Sequence, residues 1–96
     1  MSELLTLAHF HPLLQQPFQL QLEGLALELD LVVAEVLKPQ PGLPRPPFAL
    51  VFRGPMQPIL PQRIYPLHHQ ALGALDIFLV PIGPDEVGQR YEAVFN

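Results

Sequence analysis

Residues 18–33 read FQLQLEGLALELDLVV. Phe18, Leu20 and Leu22 alternate with Gln19 and Gln21, and Leu25, Leu27, Leu29, Leu31 and Val33 run past Glu28 and Asp30 in the same way. A period of two sends successive side chains to opposite faces of a strand. Glu23-Gly24, between the runs, is a two-residue hairpin loop. Closing it pairs Leu22 with Leu25, Leu20 with Leu27 and Phe18 with Leu29, and all three pairs fall on one face. Both strands therefore agree on the register. After Val33 the next large apolar residue, Val36, arrives out of phase. A β-bulge near Val33–Glu35 explains the slip and bends the strand as the corner of a small barrel requires.

On the N-terminal side, residues 6–15 form the best helical window. Thr6 is a cap, and Leu7, Phe10 and Leu14 stand at i, i+3 and i+7. Pro12 limits this window to one or two short turns. Residues 1–16 are thus a helical lead-in, and residues 17–96 carry the strands.

On the C-terminal side, KPQPGLPRPP (38–47) is polyproline-like and cannot enter a sheet centre. Its Lys38, Pro41 and Pro44 also fit a degenerate basic proline-peptide pattern, which a rigid loop explains equally well. Phe48, Leu50 and Phe52 mark a third strand that Gly54 ends. Pro55, Pro58 and Pro61 follow at a spacing of three, which stacks them on one side of a polyproline II helix. A fourth strand at about 62–68 carries Ile64, Tyr65 and Leu67, and Pro66 makes it an edge or irregular strand. Leu75, Ile77 and Leu79 mark the fifth strand. It is apolar on both faces after Asp76, so it is expected to be covered on both sides. GPDEVG (83–88) is a solvated loop, and Tyr91, Ala93 and Phe95 point inward from the sixth strand, held on both edges. The last hairpin reads as a closing element of the sheet rather than a working site.

Ninety-six residues allow a single domain. Six mostly sequential strands without a βαβ alternation exclude a parallel sheet. The expected fold is all-β: a six-stranded antiparallel barrel or barrel-like sandwich with a short N-terminal helical element.

Composition narrows function. Hydrophobic residues make up 49% and charged residues 15%, which suits a packed core and not a disordered chain. The net charge is −4 and the five basic residues are scattered, so no cluster exists to neutralise phosphates of nucleic acid or an anionic membrane. There is no cysteine, hence no disulfide framework, thiolate zinc or cysteine nucleophile. The N-terminal MSELLTLAHFHPLL has no basic signal-peptide start, and no apolar run reaches the ~20 residues of a membrane helix. The expectation is a cytoplasmic protein.

FALVFRGP (48–55), LPQRIYPLHHQALGALDIFLVPIG (60–83) and RYEAVFN (90–96) resemble, in that order, a family of small bacterial domains of unknown function. Its pattern runs F-x-L-x-FRGP, L-P-x-x-x-Y-x-L-x-H, L-G-x-L-x-x-F-L-V-P-I-G and Y-E-A-V-F-N. The chain departs from it in carrying Gln15-Gln16 where a glycine is expected before the first strand. The resemblance implies no activity. It implies a neighbourhood of phage-tail-collar-like and tail-fibre-like proteins, and so an accessory module for such a protein.

Chemistry-bearing residues are few. The only serine and threonine are Ser2 and Thr6, and no nucleophile elbow, zincin or phosphate-loop motif exists, so no catalytic residue is assigned. Asp85-Glu86 read as solubilising turn carboxylates. His9, His11, His68 and His69 are the metal-like candidates. On strands, His9 and His11 would share a face and His68 and His69 would oppose one another; surface or turn histidines are the plainer reading. Arg53 would satisfy loop carbonyls or pair with a carboxylate such as Glu92. Tyr65 and Tyr91 are expected at the rim of the core with their hydroxyls in water. No cofactor is implied.

The functional expectation is therefore a non-enzymatic structural or protein-interaction module, in the form of an accessory of a tail-like protein. Its candidate binding residues are Arg53, Tyr65, Pro55, Pro58 and Pro61, beside an edge that also permits homo-oligomers. A small-ligand-binding barrel is the alternative, and a histidine metal site a weaker one.

Overall fold

The computed structural model of the chain describes residues 5–96, so Ser2 lies outside the described residues. A four-residue helix, α1 (Leu7–Phe10), continues into a 3-10 turn (His11–Leu13). Six strands follow: β1 (Pro17–Leu22), β2 (Leu25–Val36), β3 (Phe48–Gly54), β4 (Arg63–His69), β5 (Gly73–Pro84) and β6 (Gln89–Phe95). They form a closed antiparallel barrel in the order β1-β2-β3-β6-β5-β4. Of the two architectures expected, the barrel is the one adopted.

The β1–β2 hairpin has the register its alternation dictates, with Phe18 opposite Leu29, Leu20 opposite Leu27 and Leu22 opposite Leu25. The bulge in β2 lies slightly earlier than expected, between Leu31 and Val33 in the pairing with β3. β6 is held on both edges, by β3 and by β5.

Two expectations about edges are corrected. β4 is not an edge strand, because the sheet closes through it, so the open edge expected for homo-oligomer pairing is taken up by the ring. Its seam with β1 is nevertheless short, with only Gln19–His68 and Leu20–Leu67 in register. Continuing that register sets Pro66 against Gln21 and Pro17 against Gln70, and neither proline has an N–H to extend the ladder.

The inward alternation of every strand fills the barrel. Phe18, Leu20, Leu29, Leu31, Leu50 and Phe52 are among its buried side chains. Each such burial is worth roughly 1.5–3 kcal/mol. Two connections complete the core. Phe10 of α1 packs on Phe18, Phe48 and Phe95 at centroid distances of 6.4, 5.8 and 5.7 Å, plugging the end where β3 begins. Near the other end, the crossing from β3 to β4 sends Leu60 inward. That crossing is not a straight polyproline helix, since it bends over residues 56–58.

The 38–47 loop is fastened by one side chain. Arg45 lies over the stacked rings of Phe48 and Phe95, 5.5 and 5.6 Å from their centroids, and donates from Nη1 to the Leu5 carbonyl at 2.6 Å. A Leu37 N–H to Pro47 carbonyl bond of 2.8 Å closes the loop's base. Cation–π contact with two rings holds an otherwise extended proline segment to the barrel.

Candidate functional site

Arg53 leaves β3 on the outer side and finds Asp85, not Glu92, with a 3.0 Å ion pair. Asp85 does more than solubilise its turn. Its Oδ1 accepts the N–H groups of Val87 and Gly88 at 2.8 and 2.9 Å, and its own N–H donates to the Gly88 carbonyl at 2.9 Å. An aspartate that bonds backbone two and three residues on is a standard turn builder. These N–H donors and, behind them, Arg53 hold its carboxyl below the usual carboxylate range. The turn is tight because Gly88 lies against the backbone of Gly54, whose carbonyl a Cβ at Gly88 would strike. Arg53 is therefore committed to holding the β5–β6 turn against the end of β3.

Both tyrosines are buried, contrary to the expectation of hydroxyls in water. Tyr65 donates to the Pro61 carbonyl at 2.5 Å, and Tyr91 accepts the Leu60 N–H at 2.9 Å. Burial raises the Tyr65 pKa above its ordinary value, against the opposing pull of Arg63, whose guanidinium lies 5.2 Å from the Tyr65 ring centre. The pair ties the proline crossing down, so that Leu60 points in while Pro55, Pro58 and Pro61 stay exposed, with Met56 and Ile59 among them. Of the candidate binding residues, the three prolines are available at the surface, Tyr65 is not, and Arg53 is engaged.

The four histidines are not brought together as a site. His9 is helical and His11 lies in the following turn, where positions i and i+2 do not face one another. His9 Nδ1 accepts the Thr6 N–H at 2.9 Å. On β4, His68 is exposed and His69 buried, as strand alternation requires. His69 has both ring nitrogens engaged, with Gln16 at 2.8 Å and the Ala71 N–H at 2.9 Å. Among the described residues no three of His, Asp and Glu gather as metal ligands.

The feature the sequence reading placed wrongly is the outer face of β5. Expected to be covered, it is open: Phe78 is 48% exposed. It stands opposite Ile64 of β4, which is 59% exposed. Next to this pair, Val80, Glu92, Val51 and Val33 face one another across β5, β6, β3 and β2, three valines around one carboxylate, and Val94 of β6, 49% exposed, stands opposite the buried Ala49 of β3. A charged row of Asp30, Arg53 and Arg90 borders them. An apolar centre with a charged border is the anatomy of a contact surface. The signal was present in the sequence, where apolar residues occupy both faces of β5 after Asp76.

No helix among the described residues is long and apolar enough to cross a membrane. No curated protein and no solved structure matches the chain. The family described as "Domain of unknown function (DUF6916)" matches residues 5–95. With that match spanning nearly the whole barrel, the chain belongs to this family of domains of unknown function.

Proposed function

We propose that the chain is a non-catalytic interaction module that binds another protein through the outer wall over β4, β5, β6 and β3. The observation that carries this reading is the Phe78–Ile64 pair, two large apolar side chains opposite each other on the outside of the barrel. Scattered exposed apolar residues need no explanation, but contiguous ones mark contact sites. The fitting partner presents an apolar strip with a cation to meet Glu92, the half-buried carboxylate among these valines. The exposed proline crossing, with Met56 and Ile59, leads into the start of β4 and adds exposed apolar residues there. A tail-collar-like or tail-fibre-like protein is the partner to try first. A ligand-binding barrel would need interior room that the buried leucines and aromatic rings occupy.

The test is a pull-down from the native host with the wild-type protein and with Phe78→Ser/Ile64→Thr, alongside the solution mass of each protein alone. A stoichiometric partner retained by the wild type and lost by the variant, with melting temperatures within ~4 °C of each other, is the expected result. A partner held equally by both proteins, or no partner at all, overturns the reading. A wild-type dimer that the double substitution dissociates redirects it to a homomeric contact.

A further inference from the structure

We infer that the barrel carries a second contact surface, along the β1–β4 seam, which takes an uncharged peptide in extended conformation. It uses side chains other than those of the apolar wall and stands independently of that reading.

Because Pro17 and Pro66 bracket the seam, two hollows open on it. One, of about 300 Å³, is lined by Gln16, Pro17, Gln19, His68, His69 and Gln70. The other, of about 290 Å³, is lined by Gln19, Gln21, Pro66, Leu67, His68 and Ala74. They share Gln19 and His68, which are cross-strand partners, so the hollows lie on either side of that pair. Their linings are displaced by two residues along each strand, or ~7 Å at the rise of a β-strand. That is the distance between alternate side chains of an extended peptide laid along the seam. Because the ring is closed and offers no edge for a further strand, recognition here rests on the side-chain pockets alone, the part that gives specificity where peptides pair with sheets.

The chemistry of the lining selects the peptide. Four glutamines and no Asp, Glu, Lys or Arg line the two hollows, although Gln19 already donates from Nε2 to the Glu28 carboxylate behind it at 3.0 Å. Each primary amide offers donors and an acceptor, the complement of a peptide N–H and C=O, and nothing here repays the desolvation of a charge. The first hollow is the more polar. Pro66 and Ala74, both exposed at the second hollow, suit a small apolar side chain two positions along, while Leu67 turns its side chain into the core.

Gln16 is held in place for this. The Ala71 N–H donates to His69 Nδ1, so Nε2 carries the proton and donates to Gln16 Oε1. The Gln16 NH2 is left as a donor at the hollow. The preceding residue, Gln15, has φ of 68°, a left-handed conformation unusual for a non-glycine residue. It is maintained by the Gln15 N–H to Leu31 carbonyl bond of 2.7 Å and the Leu31 N–H to Gln16 carbonyl bond of 3.1 Å.

The experiment is an amide NMR titration with three probes: the capped peptide TQTVT, the capped peptide TTQVT and the neutral sugar maltotetraose. In TQTVT the glutamine and valine side chains point the same way, and in TTQVT they oppose each other. The expected result is saturable shifts at Gln19, Gln21, Leu67 and His68 with TQTVT and weaker ones with TTQVT. Gln16→Ala and Gln70→Ala should each weaken TQTVT by ~2–10-fold, the range for one lost hydrogen bond. Gln70 is exposed, so its variant keeps the test valid if Gln16→Ala disturbs His69. Phe78→Ser should leave the titration unchanged, which separates this surface from the apolar wall. Absence of saturable shifts at the seam, equal binding of both peptides, or maltotetraose alone shifting these residues would each overturn the inference.

Discussion

Leu29 and Phe78 sit in the two twelve-residue strands of the barrel, β2 and β5, and meet opposite environments. Leu29 belongs to a strand whose outer neighbours are Glu28 and Asp30, so its alternation sorts apolar from polar and the polar side meets water. Phe78 belongs to a strand that is apolar on both faces, and it falls on the outer one. The difference teaches that alternation fixes which residues share a face, whereas covering a face depends on what packs there. Within the described residues, β5 has its inner face covered by the core and its outer face left open.

The largest effect should come from breaking this contrast on the inside. Leu29→Ala removes a fully buried side chain whose Cδ2 packs close over Gly54. A loss of ~2–5 kcal/mol in urea or thermal unfolding is expected. Phe78→Ser, on the outer face of a comparable strand, should change stability by no more than ~0.5 kcal/mol. If the two substitutions cost the same, the outer wall is not a free surface and the contrast fails.

The same contrast explains what was legible in the sequence. The hairpin register from Phe18 to Leu29 could be read from a period of two and a glycine turn, because both signals are local. Ring closure could not, since Pro66 reads as an edge signal and the order of strands is set by distant pairings. The tyrosine assignments failed for a related reason. Tyr91 finds the Leu60 N–H 31 residues earlier in the chain, and nothing local to Tyr91 announces a donor there. Arg53 found its carboxylate in the β5–β6 turn and not on the last strand. Asp85 was legible as a turn residue, but its role as the partner of Arg53 was not. The proposed contact surface was half legible: its prolines and the two-faced β5 were visible, while Ile64 opposite Phe78 required the β4–β5 register.

A smaller effect, from electrostatics, separates the charged border of the wall from its apolar centre. Asp85 is held below the ordinary carboxylate value of about 3.9 by backbone N–H groups and Arg53. A carboxyl whose pKa is lower folded than unfolded contributes stability above its unfolded value. That contribution is lost as pH falls through the folded value. Wild type should therefore exceed Asp85→Ala in stability at neutral pH, and the gap should close as the pH is lowered below about 4. Denaturant midpoints of both proteins across pH 3–7 check this. A gap independent of pH would assign the effect of Asp85 to turn geometry alone.

The smallest effect concerns the polar side of the comparison, where the hairpin joins the lead-in. Gln15 stands where the family resemblance led us to expect a glycine, and its φ of 68° is the left-handed conformation that glycine adopts without steric cost. A non-glycine residue there costs roughly 1–2 kcal/mol. Glycine in turn gives up ~0.5–1 kcal/mol through the greater freedom of the unfolded chain. The two terms oppose, so Gln15→Gly should stabilise by about 0–1.5 kcal/mol, read as a small rise in the denaturant midpoint at an unchanged slope. The Gln15 N–H to Leu31 bond uses only backbone and survives the substitution. A measurable loss of stability would mean that the Gln15 side chain holds the turn. The departure from the family pattern would then be a local contact of this chain, and not a tolerated strain at a position suited to glycine.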